Sequence, residues 1–363
     1  MFWVHSLTTM SFGIIGLFIP IYLLTKGYSL TQVLLFMAWG QLAALVTQTL
    51  SMRIVGKIGA NHAMVIGNIL LVLYFAMLPF ISHFGSWWLF VALPGGFSRA
   101  IYWGAFHANF SKARAHKRSS KQIGLLYAVL ALVTGLAPAI GGVIASTTTI
   151  TITYVAAAIL MLIASIPLLG NHEIVKRRSL NMAQFKWKKY RSDMIGNGGN
   201  GMLYVADSIV WPLAVYVFIS SYVGVGILSS VVTIGATTAS LYVGWREQRK
   251  GVRHFLWEGY GFINVASFIR LLAQNGLHVF GANLFTGVGK SLYVTPFMDR
   301  YYRHADESPR YEYIAAVEMA HETAALLFLL LLVILSLFVP AQAIYVLGIS
   351  CAIPAGYLMT RIR

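Results

Sequence analysis

Two stretches decide how this chain folds: Arg99-Ala100-Ile101-Tyr102-Trp103-Gly104-Ala105-Phe106 and Lys290-Ser291-Leu292-Tyr293-Val294-Thr295-Pro296-Phe297. Each is a cation followed by tyrosine three residues on and phenylalanine seven residues on, and each is embedded in an apolar segment. A second echo pairs Tyr22-Leu23-Leu24-Thr25-Lys26-Gly27-Tyr28 with Tyr216-Val217-Phe218-Ile219-Ser220-Ser221-Tyr222. The two offsets, 191 and 194 residues, nearly agree and imply an internal duplication.

Working outward, twelve apolar spans can be read, at about 3–25, 31–50, 63–82, 87–108, 122–146, 149–170, 195–220, 222–243, 255–273, 276–298, 312–339 and 341–360. A membrane helix takes roughly 20 apolar residues, so twelve occupy about two thirds of the 363-residue chain. The composition agrees, with 58% hydrophobic residues, 10% charged and a mean hydropathy of +0.71. Soluble domains run near about 45–50% apolar and about 25% charged. No soluble catalytic or regulatory domain fits in what remains. The lone cysteine, Cys351, sits in an apolar stretch, which excludes a disulfide framework and a cysteine-rich metal site. Met1-Phe2-Trp3 opens the first span with neither a basic run nor a cleavage site, so no signal peptide is expected.

The net charge of +16 is explained by topology. Of 27 Lys and Arg residues, 23 fall on alternate connections. These are Arg53 and Lys57, the run Lys112 to Lys121, the run Lys176 to Arg191, Arg246 to Arg253, Arg300 to Arg310, and Arg361 with Arg363. Lys and Arg collect on the cytoplasmic side, which places both termini inside and needs no nucleic acid. The basic loops would touch anionic lipid headgroups instead. The fold expected is an all-α polytopic membrane protein of twelve transmembrane helices in two pseudo-symmetric six-helix halves. Residues 1–170 and 194–363 form the halves, 171–193 a basic cytoplasmic linker. Six spans per half make the repeats parallel, related by an axis along the membrane normal.

Over essentially the whole chain these features resemble the major facilitator superfamily. Its members carry a loop signature between helices 2 and 3, approximately Gly-x-x-x-Asp-Arg-x-Gly-Arg, with a weaker copy between helices 8 and 9. The second copy is the fuller one here: Gly244-Trp245-Arg246-Glu247-Gln248-Arg249-Lys250-Gly251-Val252-Arg253, with Gln248 at the family's Asp. The first copy keeps Lys57 and Gly59, with Met52 and Gly56 where the family has Gly and Asp. Physically the motif is a tight glycine turn with cations near a helix C-terminus, where the dipole favours them. The resemblance implies that it latches the halves while the outward side is open. In span 5, Pro138-Ala139-Ile140-Gly141-Gly142 resembles the family's Pro-x-x-Gly-Gly tract, and small residues let membrane helices approach closely. Gly196-Asn197-Gly198-Gly199-Asn200-Gly201 matches a dinucleotide fingerprint in letters only, with no strand before it. Its expected effect is to loosen the cytoplasmic end of helix 7.

An ionisable group inside a span costs about 2.5–3.5 kcal/mol on insertion scales, so it needs a partner or a wet cavity. Arg99 and Lys290 occupy repeat-equivalent positions in spans 4 and 10; Asp207 lies in span 7, and Glu318, His321 and Glu322 in span 11. No Asp or Glu occurs in residues 1–172, so Arg99 must pair across the two repeats or with a solute. At a rise of about 1.5 Å per residue, Lys290, Glu322 and Asp207 share one layer of the bilayer, about 9–18 Å from the cytoplasmic face. Glu318 and Glu322 share a helix face at i, i+4 and cannot both ionise cheaply, which suits proton exchange. Tyr102, Tyr293, Trp103 and Trp211 are candidates to line an amphipathic cavity. Glu258 and Arg270, near the ends of span 9, are expected to snorkel or pair locally. His5, His107 and His278 receive no role. Glu318-x-x-His321-Glu322 resembles a fragment of a metal-binding helix, but no second cluster supplies ligands, so neither metal nor cofactor is expected.

The resemblance implies alternating access around a midplane cavity lined by helices 1, 4, 7 and 10. The expected cargo is a small organic anion, or a zwitterion with an anionic group. Arg99 and Lys290 would hold it with Tyr102, Tyr293 and Trp211, and Glu318, Glu322, Asp207 and His321 would couple it to protons. Proton-driven efflux of amphipathic compounds, or a non-transporting receptor or assembly protein on the same fold, are the competing readings. An intramembrane enzyme would need a convergent catalytic cluster, and none is read. A monomer in the plasma (inner) membrane of a bacterium fits the short loops and charge bias.

Overall fold

The computed structural model describes residues 2–113, 119–170, 172–175 and 178–362, and among them the chain is helical with no strand. The first half of the chain runs through α1 (Phe2–Ile15), α2 (Phe18–Thr25), α3 (Leu30–Ile58), α4 (Ala60–Met77), α5 (Ala92–Ala113), α6 (Ser119–Thr147) and α7 (Ile150–Gly170). A 3₁₀ stretch, Leu78–Val91, turns back at Gly85 between α4 and α5. The second half has α8 (Arg191–Val205), a π turn at Ala206–Val210, α9 (Trp211–Ile219), α10 (Tyr222–Ser230) and α11 (Val232–Lys250). It continues through α12 (Val252–Leu271), α13 (Gly276–Asp306), α14 (Arg310–Leu335), α15 (Ala341–Ser350) and α16 (Ala352–Met359).

Local chemistry sets the helix ends. Ser29 and Gln32 form a capping box at the start of α3, and Asn275 accepts two backbone N–H groups at the start of α13. The α3–α4 and α11–α12 junctions each turn on one glycine, Gly59 at φ 98° and Gly251 at φ 81°, values that side chains resist. These are the glycines of the two stretches that resemble the loop signature in the sequence. The cations Lys57 and Arg253 beside them are exposed, whereas the side chains of Arg249 and its neighbours 247–250 lie outside what is described, as do residues 114–118, 176 and 177 of the basic runs.

Packing repeats along the chain. α5 packs on α3 and α4 as α13 packs on α11 and α12; α1 meets α6 and α7 as α8 meets α14 and α16; α4 meets α7 as α12 meets α16. Between the two sets, α3 lies against α14, and α6 against α10 and α11. Large apolar side chains such as Val46, Leu136, Ile166 and Phe268 point outward, as a lipid solvent requires. Among the described residues, nine helical stretches are long and apolar enough to cross a membrane. One of these runs Ala60–Ala113 through the Gly85 turn, and α12 and α13 are not among the nine.

Helices run past several of the spans read from the sequence, α3 to Ile58 and α13 to Asp306, and two further features differ. Span 4, expected from residue 87, becomes α-helical only at Ala92, after the 3₁₀ stretch that is interrupted at Gly85. The glycine run 196–201 does not loosen its helix. α8 continues through it, and a Cβ at Gly201 would strike the His321 carbonyl on α14, one at Gly199 the Ala355 carbonyl on α16. The glycines bring three backbones together.

Candidate functional site

Arg99 and Glu322 meet where α5 faces α14. The guanidinium donates to the carboxylate twice, Nε to Oε1 at 3.3 Å and Nη2 to Oε2 at 3.2 Å. Gln41 on α3 closes the triangle, its oxygen accepting from Arg99 and its amide donating to Glu322. The Tyr204 ring lies under the guanidinium, 5.7 Å from its centroid. Glu322 is buried at 4% side-chain exposure while Arg99 keeps 24%. A paired, charge-assisted contact of this kind joins the first half of the chain to the second.

A second ionic cluster sits on α12, α13 and the π turn. Asp207 receives Arg270 on one oxygen and the Lys290 ammonium on the other at 3.1 Å. Arg270 also donates to Thr286 at 2.9 Å and lies over the Trp211 ring. The π turn inserts a residue into the helix and sets the direction in which Asp207 points. Arg270 and Asp207 are buried at 3% and 4%, whereas Lys290 keeps 34% exposure. Two cations therefore share one carboxylate, and the accessible one is Lys290. Tyr204 and Asp207 are three residues apart on one helical run, so the two clusters are neighbours along it.

One turn from Glu322 toward the start of α14, Glu318 accepts from the Tyr301 hydroxyl at 3.1 Å and the Asn197 amide at 3.3 Å. His107 of α5 stands 3.9 Å away, with its other ring nitrogen 2.9 Å from the Tyr302 hydroxyl. His321 contacts Asn200 at 3.5 Å. Further toward the same end, Asp193 holds His304 at 2.6 Å and accepts from Tyr313 at 2.9 Å.

Several expected side chains serve packing. Tyr102 is buried, its hydroxyl 2.8 Å from His5 Nδ1 within a cluster of His5, Trp103 and Phe106 rings. Trp211 is buried and donates to Asn283 at 2.8 Å. Tyr293 is buried beside α12, and its hydroxyl lacks a hydrogen-bond partner among the described residues. The structure thus brings Arg99 together with Glu322, and Lys290 with Asp207, but places these aromatics among helices. Arg270, expected to snorkel or pair locally, pairs in the core with Asp207 and Thr286. Gln41 escaped the sequence reading, and His5 and His107, given no role there, each contact a buried tyrosine hydroxyl. Gln41 could have been found as an amide stranded in an apolar span. In α6, a Cβ at Gly141 would strike the Ile14 carbonyl and one at Gly142 the Tyr222 carbonyl, while the Pro138 carbonyl faces Gly226. The tract is a surface of close approach between α6 and both α1 and α10. Glu258 pairs locally with His254 at 2.8 Å.

A helical bundle with repeated packing, lipid-facing apolar surfaces and buried ionic clusters is the architecture of a multi-pass transport protein. The family model of the Major Facilitator Superfamily matches residues 1–195, and the chain belongs to this superfamily of membrane transporters. Among solved structures it is similar to the human organic anion transporter MFSD10 (TETRAN). That match has a TM-score of 0.73 and 11% identity, covering 99% of this chain and 97% of that one. It is also similar to a bacterial homologue of the iron transporter ferroportin in the outward-facing state, with a TM-score of 0.69, 12% identity and the same coverages. At these identities the likeness concerns the fold. Comparison with curated protein sequences finds no match.

Proposed function

We propose that the chain is a secondary transporter that moves a small organic anion across the plasma membrane by alternating access, coupled to protons. In this reading α12 and α13 also cross the bilayer, giving twelve spans in two six-helix halves, 1–170 and 194–363, joined by 171–193. Both termini face the cytoplasm and the unit is a monomer. The observation that carries the proposal is the Asp207 cluster: two cations face one carboxylate, and the surplus positive charge belongs to the half-exposed Lys290. An incoming carboxylate, phosphate or sulfonate would complete that balance. A cationic cargo would worsen it.

Coupling follows from the Arg99–Glu322 contact. One guanidinium cannot serve two carboxylates in the same geometry, so a proton on Glu322 frees Arg99 for the anion. Glu318, one turn away, passes the proton toward the end of the bundle where His107 and Asp193 lie. Asp207 acts as a fixed counter-charge rather than a proton carrier, because two cations hold it. Tyr102, Trp211 and the buried Tyr293 support the site through packing.

Thermal unfolding of the purified protein with matched anionic, neutral and cationic solutes on one carbon skeleton tests the cargo class. A ligand at a hundredfold over its Kd stabilises by about 2.7 kcal/mol. The anion alone should stabilise, and Lys290→Ala should abolish the effect. Stabilisation by the neutral or cationic member, or by anions undiminished in Lys290→Ala, would refute the assignment.

A further inference from the structure

Leaving α7 at Gly170, the linker is fastened twice. Its first fastening is to the first half of the chain. The Glu173 carboxylate accepts from the backbone N–H groups of Ala60 at 2.9 Å, Asn61 at 3.2 Å and His62 at 3.2 Å, capping α4. These are donors that a helix start leaves without partners. The His62 ring nitrogen adds a contact at 2.9 Å, and the Asn61 amide donates to the His172 carbonyl at 3.3 Å.

The second fastening is to both halves. The Arg178 backbone N–H donates to the Gly56 carbonyl at the end of α3, at 3.0 Å. Its guanidinium donates to Glu312 at the start of α14 at 2.8 Å, and the Asn181 backbone N–H donates to the same carboxylate oxygen at 2.9 Å. Glu312 has no exposed side-chain surface, while Arg178 keeps 43%. Gly56 makes the crossing possible, because a Cβ there would strike the Arg178 carbonyl. Beyond this point Phe185 and Tyr190 bury their rings against Tyr313 of α14.

We propose that the Arg178–Asn181 segment is an intramolecular latch, docked between the end of α3 and the start of α14, that holds the cytoplasmic side closed. The proposal rests on the alternating-access reading above. Separating α3 from α14 at this end breaks the bridge that Arg178 makes, at the Gly56 carbonyl on one side or at Glu312 on the other. A buried carboxylate stripped of its cation is unfavourable unless water enters, so release and opening of this face are one event. Arg178 is the mobile member because its guanidinium already reaches solvent. The docked face belongs to the first loop-motif copy, where Gly56 stands in place of an acid: the acid is supplied by Glu312, and the linker brings the cation. Salt screens a partly exposed pair, so raised ionic strength should favour release.

Spin-label distances in the full chain, reconstituted in nanodiscs on a Cys351→Ser background, test this. One pair, Arg53→Cys with Glu307→Cys, reports the cytoplasmic side, and Lys26→Cys with Phe338→Cys the opposite side; all four positions are exposed. Arg178→Ala and Glu312→Gln should each move the cytoplasmic pair toward longer distances, and the double variant should go no further than either single one. Gly56→Ala should do the same with every charge retained, which guards against an effect of altered charge or folding. Wild-type distances in these variants would overturn the latch. If the cytoplasmic pair lengthens while the opposite pair does not shorten, the latch stands and the alternating-access reading fails.

Discussion

Asp207 is held by two cations of unequal burial, and removing each should have a different cost. Arg270 is enclosed with it, so Arg270→Met should destabilise the protein by about 3–5 kcal/mol, the range for breaking a buried pair. Lys290→Met should cost under about 1 kcal/mol, because solvent screens the half-exposed ammonium. Chemical unfolding of the two variants checks the contrast, and equal losses would contradict it. At the other cluster, Glu322→Gln keeps a group of the same shape beside Gln41 but no longer competes for Arg99. Anion affinity, titrated by calorimetry at a single pH, should rise in Glu322→Gln, since the neutral amide leaves the guanidinium free. Affinity equal to or below that of the wild type would place the coupling group elsewhere. The charged positions were legible in the sequence as misfits in apolar spans, and the absence of acids in residues 1–172 already demanded a distant partner for Arg99. Which carboxylate serves which cation was not legible. That depends on the rotation of each helix about its axis, and hydropathy does not encode rotation where nearly every face is apolar. For Arg270 the sequence left both alternatives open for the same reason: near a helix end, a cation can snorkel outward or turn inward to a partner.

Among the elements, the two glycine turns invite a paired comparison. Gly59→Ala and Gly251→Ala both force a side chain into positive φ, at about 1–3 kcal/mol each. Among the described residues nothing lies within 4 Å of a new Cβ at Gly251, whereas a Cβ at Gly59 would strike the Glu173 carboxylate. Gly59→Ala should therefore also weaken the cap on α4, worth about 0.5–2 kcal/mol. Unfolding midpoints should fall further for Gly59→Ala, and the reverse order would contradict the assigned role of Glu173. Both turns were readable as motif glycines. The capping acid was not, because it arrives from the linker more than a hundred residues later. The glycine run 196–201 misled for a related reason. A run of glycines weakens an isolated helix, but in a bundle the same residues permit close approach, and the interhelical contacts with α14 and α16 prevail. The π turn at 206–210 left no sequence mark that periodicity could detect.

For the whole molecule, the internal echo in the sequence was the most legible feature, and several of the paired positions sit in similar surroundings. Arg99 and Lys290 each lie beside a carboxylate, Tyr102 and Tyr293 are each buried, and Gly59 and Gly251 each turn a corner. The repeats have diverged in what they pair with: Arg99 reaches across the bundle, whereas Lys290 stays in its own part of the chain. This asymmetry is what the transport reading depends on, with one cation contact that must break on opening and one that persists. The most direct measurement is uptake of a stabilising organic anion into proteoliposomes under an imposed pH gradient. The account predicts saturable uptake that collapses with Lys290→Ala and Arg99→Ala, and that loses its dependence on the gradient, though not its counterflow, with Glu322→Gln. Uptake unchanged by Arg99→Ala and Lys290→Ala, or confined to neutral or cationic solutes, would contradict it.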